Sequence, residues 1–543
     1  MVRVGLNERV RALSTENLKA VTPQVLLASA LAAWALAIWR SELSIGSFGL
    51  VHSLSLSFFV ATGLLSVSFL VALLWSRSKP YLLVIHLVCL LAFAHLTPIL
   101  LEGTPRFTYI YESYGYADYL VRNGHLDLSL TYHNWPALHL LNAALVEVSG
   151  IDPIDLLLWS APAVHGLAVL ALAFVSRVLS ESKEETWIAL WLGMLFTAGG
   201  GYLVPGTLAN LFMIAALSLI SVNYLRRAPS PRSSLGYQMA LLILLLAIIP
   251  AHLLTSVALV ISLVLTYVMV RVTGASAGRL NTATLLMVAL ACWMLYVAIS
   301  VTAALLPRVL GEILSLDTVI AESGELAGSG APQHTAVVLV RMGYAGVLSL
   351  LALLTCVQRL RSERRLRMEW ALPAVWVIGA ASTVLVTAYS GEILGRALGL
   401  AFFALVILAS KQLVGVRLPL IMALVVAAAL LSPVNMWGNE QIDRVPPSEI
   451  VAVEFFYEHR PSNYGLVTYP ARVWRYQYLE QYYPSPDVEW VFIALGTPSE
   501  QHESFLHGTV EVTEYLRQQS PHTVRLYDNG SMEILAQHKE TLR

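Results

Sequence analysis

The sequence predicts a polytopic α-helical membrane protein with a small soluble α/β domain at its C-terminal end. Three observations carry this. Charge is scarce: 13% of the 543 residues are Asp, Glu, Lys or Arg, against 57% hydrophobic residues, and mean hydropathy is +0.66. A soluble domain carries about 25% charged residues, so a soluble enzyme of this length could not cover its surface, and a disordered chain is excluded with it. Second, apolar runs recur at the length needed to cross a hydrocarbon core about 30 Å thick. Third, the composition changes near residue 435, after which charged residues and tyrosines return at the frequency of a soluble domain.

The apolar runs lie at roughly 22–39, 50–75, 80–101, 157–177, 186–199, 206–225, 236–251, 253–271, 282–305, 335–357, 370–388, 396–411 and 417–433, which makes about thirteen transmembrane helices. The run at 186–199 is short and ends in Thr197-Ala198-Gly199-Gly200-Gly201, the composition of a broken or re-entrant element. The runs on either side of Pro250 can also be read as one interrupted hairpin. The first run follows a mixed polar stretch holding Glu8 and Glu16, with no small-residue cleavage site after it, so it reads as a retained helix.

Basic residues set the orientation. Arg3 to Lys19, Arg77 and Lys79, Arg177 and Lys183, Arg226 to Arg232, Arg271 and Arg279, Arg359 to Arg367, and Lys411 with Arg417 all fall in alternate loops. That side is expected to be cytoplasmic, with the N-terminus on it. The segments 102–156 and 306–334 and the tail face the outside, and loop 306–334 sets Glu312, Asp317, Glu322 and Glu325 against Arg308. The expected domains are therefore a transmembrane unit, 1–434, and an external soluble unit, 435–543, in a multi-pass cell-membrane protein.

In the tail, Ser448 to His459 reads as a helix with Ser448 as its N-cap, and His502 to Gln518 as a second helix. Tyr464 to Tyr469, Trp490 to Leu495, Val524 to Tyr527 and Met532 to Leu535 read as strands. The last two flank Asp528-Asn529-Gly530, a hairpin turn signal. No nucleophile elbow, phosphate loop or metal motif occurs there. The net charge of -1 gives no footing for nucleic acid. Cys89, Cys292 and Cys356 sit in apolar runs without disulfide or metal-ligand spacing. No repeat period stands out.

The chemistry concentrates in the first large external segment, 102–156. Two amphipathic helices fit it, about 112–122, stopped at Asn123-Gly124, and about 136–148, opened by Pro136. Their aromatic and charged faces suit the membrane interface, where the head group of a lipid-linked substrate would lie. The segment carries Glu112, then Tyr114-Gly115-Tyr116-Ala117-Asp118-Tyr119-Leu120 running to Gly124, then Tyr132-His133-Asn134-Trp135-Pro136. Further on come a helix opening Pro250-Ala251-His252-Leu253-Leu254-Thr255, a late helix with Glu392-Ile393-Leu394-Gly395-Arg396, and the tail segment Leu526-Tyr527-Asp528-Asn529-Gly530.

In this order and topology the chain resembles the GT-C superfamily of membrane glycosyltransferases, especially archaeal members that use polyprenyl-phosphate sugars. The resemblance implies a GT-C-like fold and transfer of one sugar, such as a hexose of the mannose type, to a lipid-linked glycan or surface glycoprotein. A family carboxylate in the first external loop acts as general base, and by position Glu112 takes that place. The family pattern has Asp there and places the loop after the first helix, which implies two extra N-terminal helices here. The Trp-Trp-Asp-Tyr-Gly signature of oligosaccharyltransferases is absent, which argues against en bloc transfer to asparagine.

Each candidate has a plainer reading beside it. Glu112 as the base competes with a solvated interfacial carboxylate. Asp118 as base or acidic partner competes with an i,i+4 pair to Arg122, and Asp127 with an exposed turn residue. Arg396, near the external end of an apolar helix, can grip a lipid phosphate or simply pair with Glu392. His252 can touch the donor phosphate or hydrogen-bond the backbone. Arg341, with His334 nearby, is a further phosphate candidate. His133, Asn134, Trp135 and Glu392 are substrate-binding candidates, with loop capping as the alternative for the first two. No clustered metal ligands occur, although a divalent cation could bridge a lone carboxylate and a donor phosphate. The rival functions are a flippase or transporter of a lipid-linked substrate and a catalytically silent scaffold.

Overall fold

Where described, every apolar run expected from the sequence is helical in the computed structural model. The structure describes residues 2–44, 46–75, 80–195, 202–225, 231–273, 281–313, 315–328, 332–363, 366–386, 392–415, 418–439, 444–460, 464–469, 490–496, 524–529 and 532–538. The helices are α1 (Val2–Arg40), α2 (Leu56–Trp75), α3 (Pro80–Glu102), α4 (Thr108–Asn123), α5 (Ala137–Ser149), α6 (Pro153–Leu179), α7 (Lys183–Leu195), α8 (Pro205–Leu225) and α9 (Pro231–Ile248). They continue as α10 (Leu253–Val272), α11 (Asn281–Tyr296), α12 (Ile299–Glu312), α13 (Leu316–Gly328), α14 (Pro332–Ser362), α15 (Met368–Ala381), α16 (Ile393–Val414) and α17 (Leu418–Trp437).

Among the described residues, ten helices are long and apolar enough to cross a membrane, or up to eleven if the bent pair α11–α12 counts as one. The chain is a multi-pass membrane protein. The expected count of about thirteen is lowered at three places. α7 ends at Leu195, and the glycine run after it lies outside the described residues. The apolar part of α9, Leu235–Ile248, is short. The run at 282–305 is not one straight helix, because α12 leaves α11 at 108°.

The bundle is centred on α16, which buries residues on every side, as expected of a helix that is apolar all round. Trp191 of α7 stacks on Phe69 of α2 at 4.1 Å. α15 approaches α10 at Gly379, where an added Cβ would lie 2.9 Å from the Cα of Ser262. A small residue lets the two backbones meet there.

At one end of the bundle the Lys411 ammonium donates to Glu185 at 3.0 Å and to the Leu179 carbonyl at 2.8 Å. Beside it Arg359 pairs with Glu181 at 3.0 Å and with Glu363 at 2.8 Å. The other end carries α4, α5 and the tail.

The tail opens with α18 (Pro447–His459), whose N-cap is Pro446 rather than Ser448. Strands β1 (Tyr464–Tyr469), β2 (Trp490–Gly496), β3 (Val524–Asp528) and β4 (Met532–His538) form one sheet in the order β1-β2-β4-β3. β1 and β2 pair in parallel and the other pairs are antiparallel. Asn529 closes the β3–β4 turn by accepting the Met532 N–H at 2.8 Å. The helix expected at 502–518 lies outside the described residues. The tail shares a hydrophobic core with the segment before α6, in which Ile110, Tyr111 and Tyr114 pack with Val453, Phe456 and Ile534.

Candidate active site

α4 begins one turn earlier than the sequence suggests, so Glu112 lies inside the helix rather than at its start. It ends where Gly124 adopts φ 68 and returns its N–H to Leu120, the left-handed cap that glycine accepts without strain. Its start is tied down. Tyr111 donates to the Pro105 carbonyl at 2.6 Å, and Phe107 stacks on Tyr202 at 4.8 Å. Arg106 pairs with the buried carboxylate of Glu102 at 2.7 Å, and Arg444 of the tail binds the same carboxylate. The Val445 N–H then donates to the Arg106 carbonyl at 2.8 Å. Sequence reasoning missed this clamp. The Glu102–Arg106 half has readable i,i+4 spacing, but nothing local points to Arg444.

Glu112 is half-buried, whereas Asp118 is buried and accepts from Arg122 at 2.7 Å. Asp118 therefore makes the pair that its spacing allows. Beside it, burial and the Asp118 charge push the Tyr114 phenol well above its ordinary pKa.

The loop after α4 is folded by its own polar groups. Asp127 accepts the Ser129 hydroxyl at 2.7 Å and the Ser129 N–H at 2.9 Å, and these bonds lower its pKa. The Asn134 amide donates to the carbonyls of Leu128, Leu130 and Thr131. Nδ1 of His133 accepts the Asp127 N–H at 3.1 Å, and its Nε2 lies 3.2 Å from the Tyr116 carbonyl. His139 donates from Nδ1 to the Ser113 carbonyl at 2.9 Å. Burial lowers the pKa of both rings, that of His139 to about 3. They act as neutral braces, packed against Tyr116. His133 and Asn134 thus staple the loop. Trp135 is buried, with an indole N–H that has no hydrogen-bond partner among the described residues.

Long-range contacts bring this loop to the other candidates. The Trp293 indole donates to the Asn134 carbonyl at 2.9 Å. The Ala137 N–H donates to the Pro250 carbonyl at 3.0 Å, which sets the start of α5 beside the turn that ends in His252. His252 is the N-cap of α10: its Nδ1 accepts the Thr255 N–H at 3.4 Å and lies 3.0 Å from the Thr255 hydroxyl. Thr255 also donates to Asn210 at 3.2 Å. The ring packs against Gly206, where a Cβ would lie 3.6 Å from Cε1, 3.7 Å from Nε2 and 3.9 Å from Nδ1. Burial, and then the nearby Arg396 charge, lower the His252 pKa to about 4. At neutral pH the ring is neutral. With Nδ1 used as an acceptor, Nε2 carries the proton.

Arg396 lies in the first turn of α16, and Glu392 at its N-cap accepts from the guanidinium at 2.6 Å. Both are substantially exposed, at 37% and 49% of their side chains. The structure therefore gathers His133, Asn134, Trp135, His252, Arg396 and Glu392 at one end of the bundle. Glu112 lies one helical turn from Tyr116, the residue that faces His133. Arg341 lies on α14. Its Nε and Nη2 donate to the Asn435 carbonyl at 3.1 and 3.0 Å, which ties α14 to α17. His334 is buried on α14. Among the described residues no group of three His, Cys, Asp or Glu side chains is placed to hold a metal ion.

No family model matches the sequence, and no curated protein matches it either. Solved structures do. ArnT from Cupriavidus metallidurans bound to undecaprenyl phosphate superposes with a TM-score of 0.50 at 12% identity, covering 84% of this chain and 97% of that one. The apo state of the same protein gives the same values. The archaeal oligosaccharyltransferase AglB from Archaeoglobus fulgidus, in complex with an inhibitory peptide and a dolichol-phosphate, aligns at 12% identity with a TM-score of 0.49, covering 75% of this chain and 69% of that one. The likeness to ArnT gives the fold: this chain is GT-C-like.

Proposed function

We propose that the protein is an inverting glycosyltransferase that moves one sugar from a polyprenyl-phosphate donor to a lipid-linked glycan or surface glycoprotein. The carrying observation is that the turn ending in His252 is tied to the start of α5 beside the loop that follows α4, while the Arg396 charge, 144 residues on in sequence, acts on the His252 ring. A cation and an N–H donor on a membrane-embedded scaffold suit the phosphate of a carrier lipid. The GT-C-like fold supports the same reading, because the similar ArnT structure holds undecaprenyl phosphate. The basic loops support an external site, a cytoplasmic N-terminus and an external 435–543 domain.

In this mechanism Glu112 takes the proton of the acceptor hydroxyl as its oxygen attacks the anomeric carbon. The bond from that carbon to the phosphate oxygen breaks on the opposite face, so the centre inverts. The leaving polyprenyl phosphate keeps the electron pair, stabilised by Arg396 and the Nε2–H of His252, and needs no general acid. Asp118, paired with Arg122, holds α4 in shape. Trp135 and Glu392 border the substrate. Arg341, which ties α14 to α17, is a further candidate for the donor phosphate.

The test is sugar transfer from radiolabelled polyprenyl-phosphate hexoses by the purified protein. Glu112→Gln should lower turnover by about 10²–10⁴-fold with folding intact. Unchanged turnover in that variant removes Glu112 as the base, and absence of transfer by the wild type with every hexose donor overturns the reading as a hexosyltransferase.

A further inference from the structure

The corner between α11 and α12 has no proline or glycine: it falls at Val297-Ala298. The N–H groups of both residues turn back to the Trp293 carbonyl, at 2.9 and 3.0 Å, and the chain leaves at 108°. Two contacts hold the corner from outside, Trp293 to the Asn134 carbonyl at 2.9 Å and Ser300 to the Leu128 carbonyl at 3.4 Å. At 108° α12 does not continue along the axis of α11.

The side chains of α12 indicate where it runs instead. None of its residues is buried by the protein. Ile299, Ala303, Leu306, Leu310 and Ile313 recur at the i, i+4, i+7 spacing of one helix face. Ile299, Leu306, Leu310 and Ile313 are 58%, 49%, 62% and 45% exposed. The opposite face carries Ala304, Arg308 and Glu312 beside Val301 and Leu305, with Arg308 and Glu312 paired at 2.6 Å. The apolar stripe continues the exposed surface of α11, which shows Met287, Val288, Leu295 and Tyr296, the last 80% exposed.

We propose that α12 is an interfacial helix lying in the plane of the bilayer at the site end. Ile299, Leu306, Leu310 and Ile313 sink into the boundary between head groups and acyl chains, and Arg308, 51% exposed and paired with the largely covered Glu312, faces the head groups and water. Its occupant is lipid, because the stripe continues the lipid-facing surface of α11 and its charges lie on the other face. Through Ser300 and Trp293 the helix fixes the height of the Leu128–Asn134 loop above the acyl chains. This placement holds whether or not the protein transfers sugars.

The test uses the full chain reconstituted in phosphatidylcholine vesicles, with Cys292 and Cys356 changed to Ser. Single spin labels are introduced by Leu306→Cys, Leu310→Cys or Ala304→Cys. Collision with oxygen, which partitions into lipid, is compared with collision with a water-soluble nickel chelate. The expected result is oxygen-dominated collision at 306 and 310 and nickel-dominated collision at 304. Equal nickel access at all three positions would place α12 in water. Shielding of 306 and 310 from both reagents would place another protein surface, such as a second copy, over the stripe. Either outcome overturns the proposal. Labels at these exposed positions leave the core intact, and agreement of the three variants in thermal unfolding confirms it.

Discussion

The two ends of α16 treat charge in opposite ways. Lys411, near its C-terminal end, is buried with Glu185, their side chains 1% and 6% exposed, and the ammonium also donates to the Leu179 carbonyl. Arg396, at the other end, pairs with the exposed carboxylate of Glu392, and its charge acts on the neutral His252 ring. The two residues are about 22 Å apart by the 1.5 Å rise of a helix, which spans most of a bilayer core. A buried and satisfied pair locks neighbouring helices together. A cation whose side chain stays 37% exposed remains open to solvent.

The comparison breaks first at Lys411. Lys411→Met should leave the buried Glu185 carboxylate without its cation and destabilise the folded state by about 3–5 kcal/mol. The joint change Lys411→Met with Glu185→Leu should recover much of that loss, since an apolar pair carries no desolvation cost. Denaturant unfolding in detergent reads both. A single variant as stable as the wild type would show that the pair does not hold the helix ends.

A second break lies in the tail. Glu449, in the first turn of α18, is buried, and burial raises its pKa to about 8, with Arg444 acting in the opposite sense. Below its ordinary value of 4.5 the folded and unfolded states both hold the proton, and its contribution is fully present. As pH rises through about 8 the folded carboxyl must ionise in place, and that contribution is lost. Protection of the α18 amides against hydrogen exchange should therefore fall between about pH 5 and 9, by on the order of a few kcal/mol at most. Glu449→Gln should flatten the profile, and an unchanged slope in that variant would assign it to another group.

How much of this was legible depends on the range of the forces involved. Spans, the α4 stop at Gly124, the four strands and the Asp118–Arg122 and Glu392–Arg396 pairs are local, and the sequence displays them. The corner at Val297-Ala298 is not local. Its residues are as apolar as their neighbours, and the contacts that hold it come from Leu128 and Asn134. Arg444 reaches Glu102 across 342 residues, beyond any periodicity. His133 and Asn134 were recognisable as polar groups in a chemically rich loop. Only their geometry shows that the His133 ring nitrogens brace the loop against α4 and that the Asn134 NH2 donates to the loop's own carbonyls. His252 and Arg396 stand out separately, as ionisable groups at helix ends, and the action of the Arg396 charge on His252 is a property of the fold.

The smallest expected stability effect sharpens the comparison most. The Arg396–Glu392 pair is exposed, and such pairs contribute about 0.5 kcal/mol or less. Arg396→Ala should therefore leave the unfolding midpoint almost where it is, in contrast to Lys411→Met. Under the proposed function the same variant should raise KM for the lipid-linked donor, because the guanidinium would bind phosphate in the ground state as well as in the transition state. Arg396→Lys should recover part of the affinity, since it restores the charge without the planar fork. If Arg396→Ala destabilised the protein as Lys411→Met does, the arginine would belong to the architecture. If both donor KM and stability stayed unchanged, the phosphate site would have to be built on other groups at this end of the bundle. A raised KM on an unaltered fold is the outcome that separates a site charge from a structural one on the same helix.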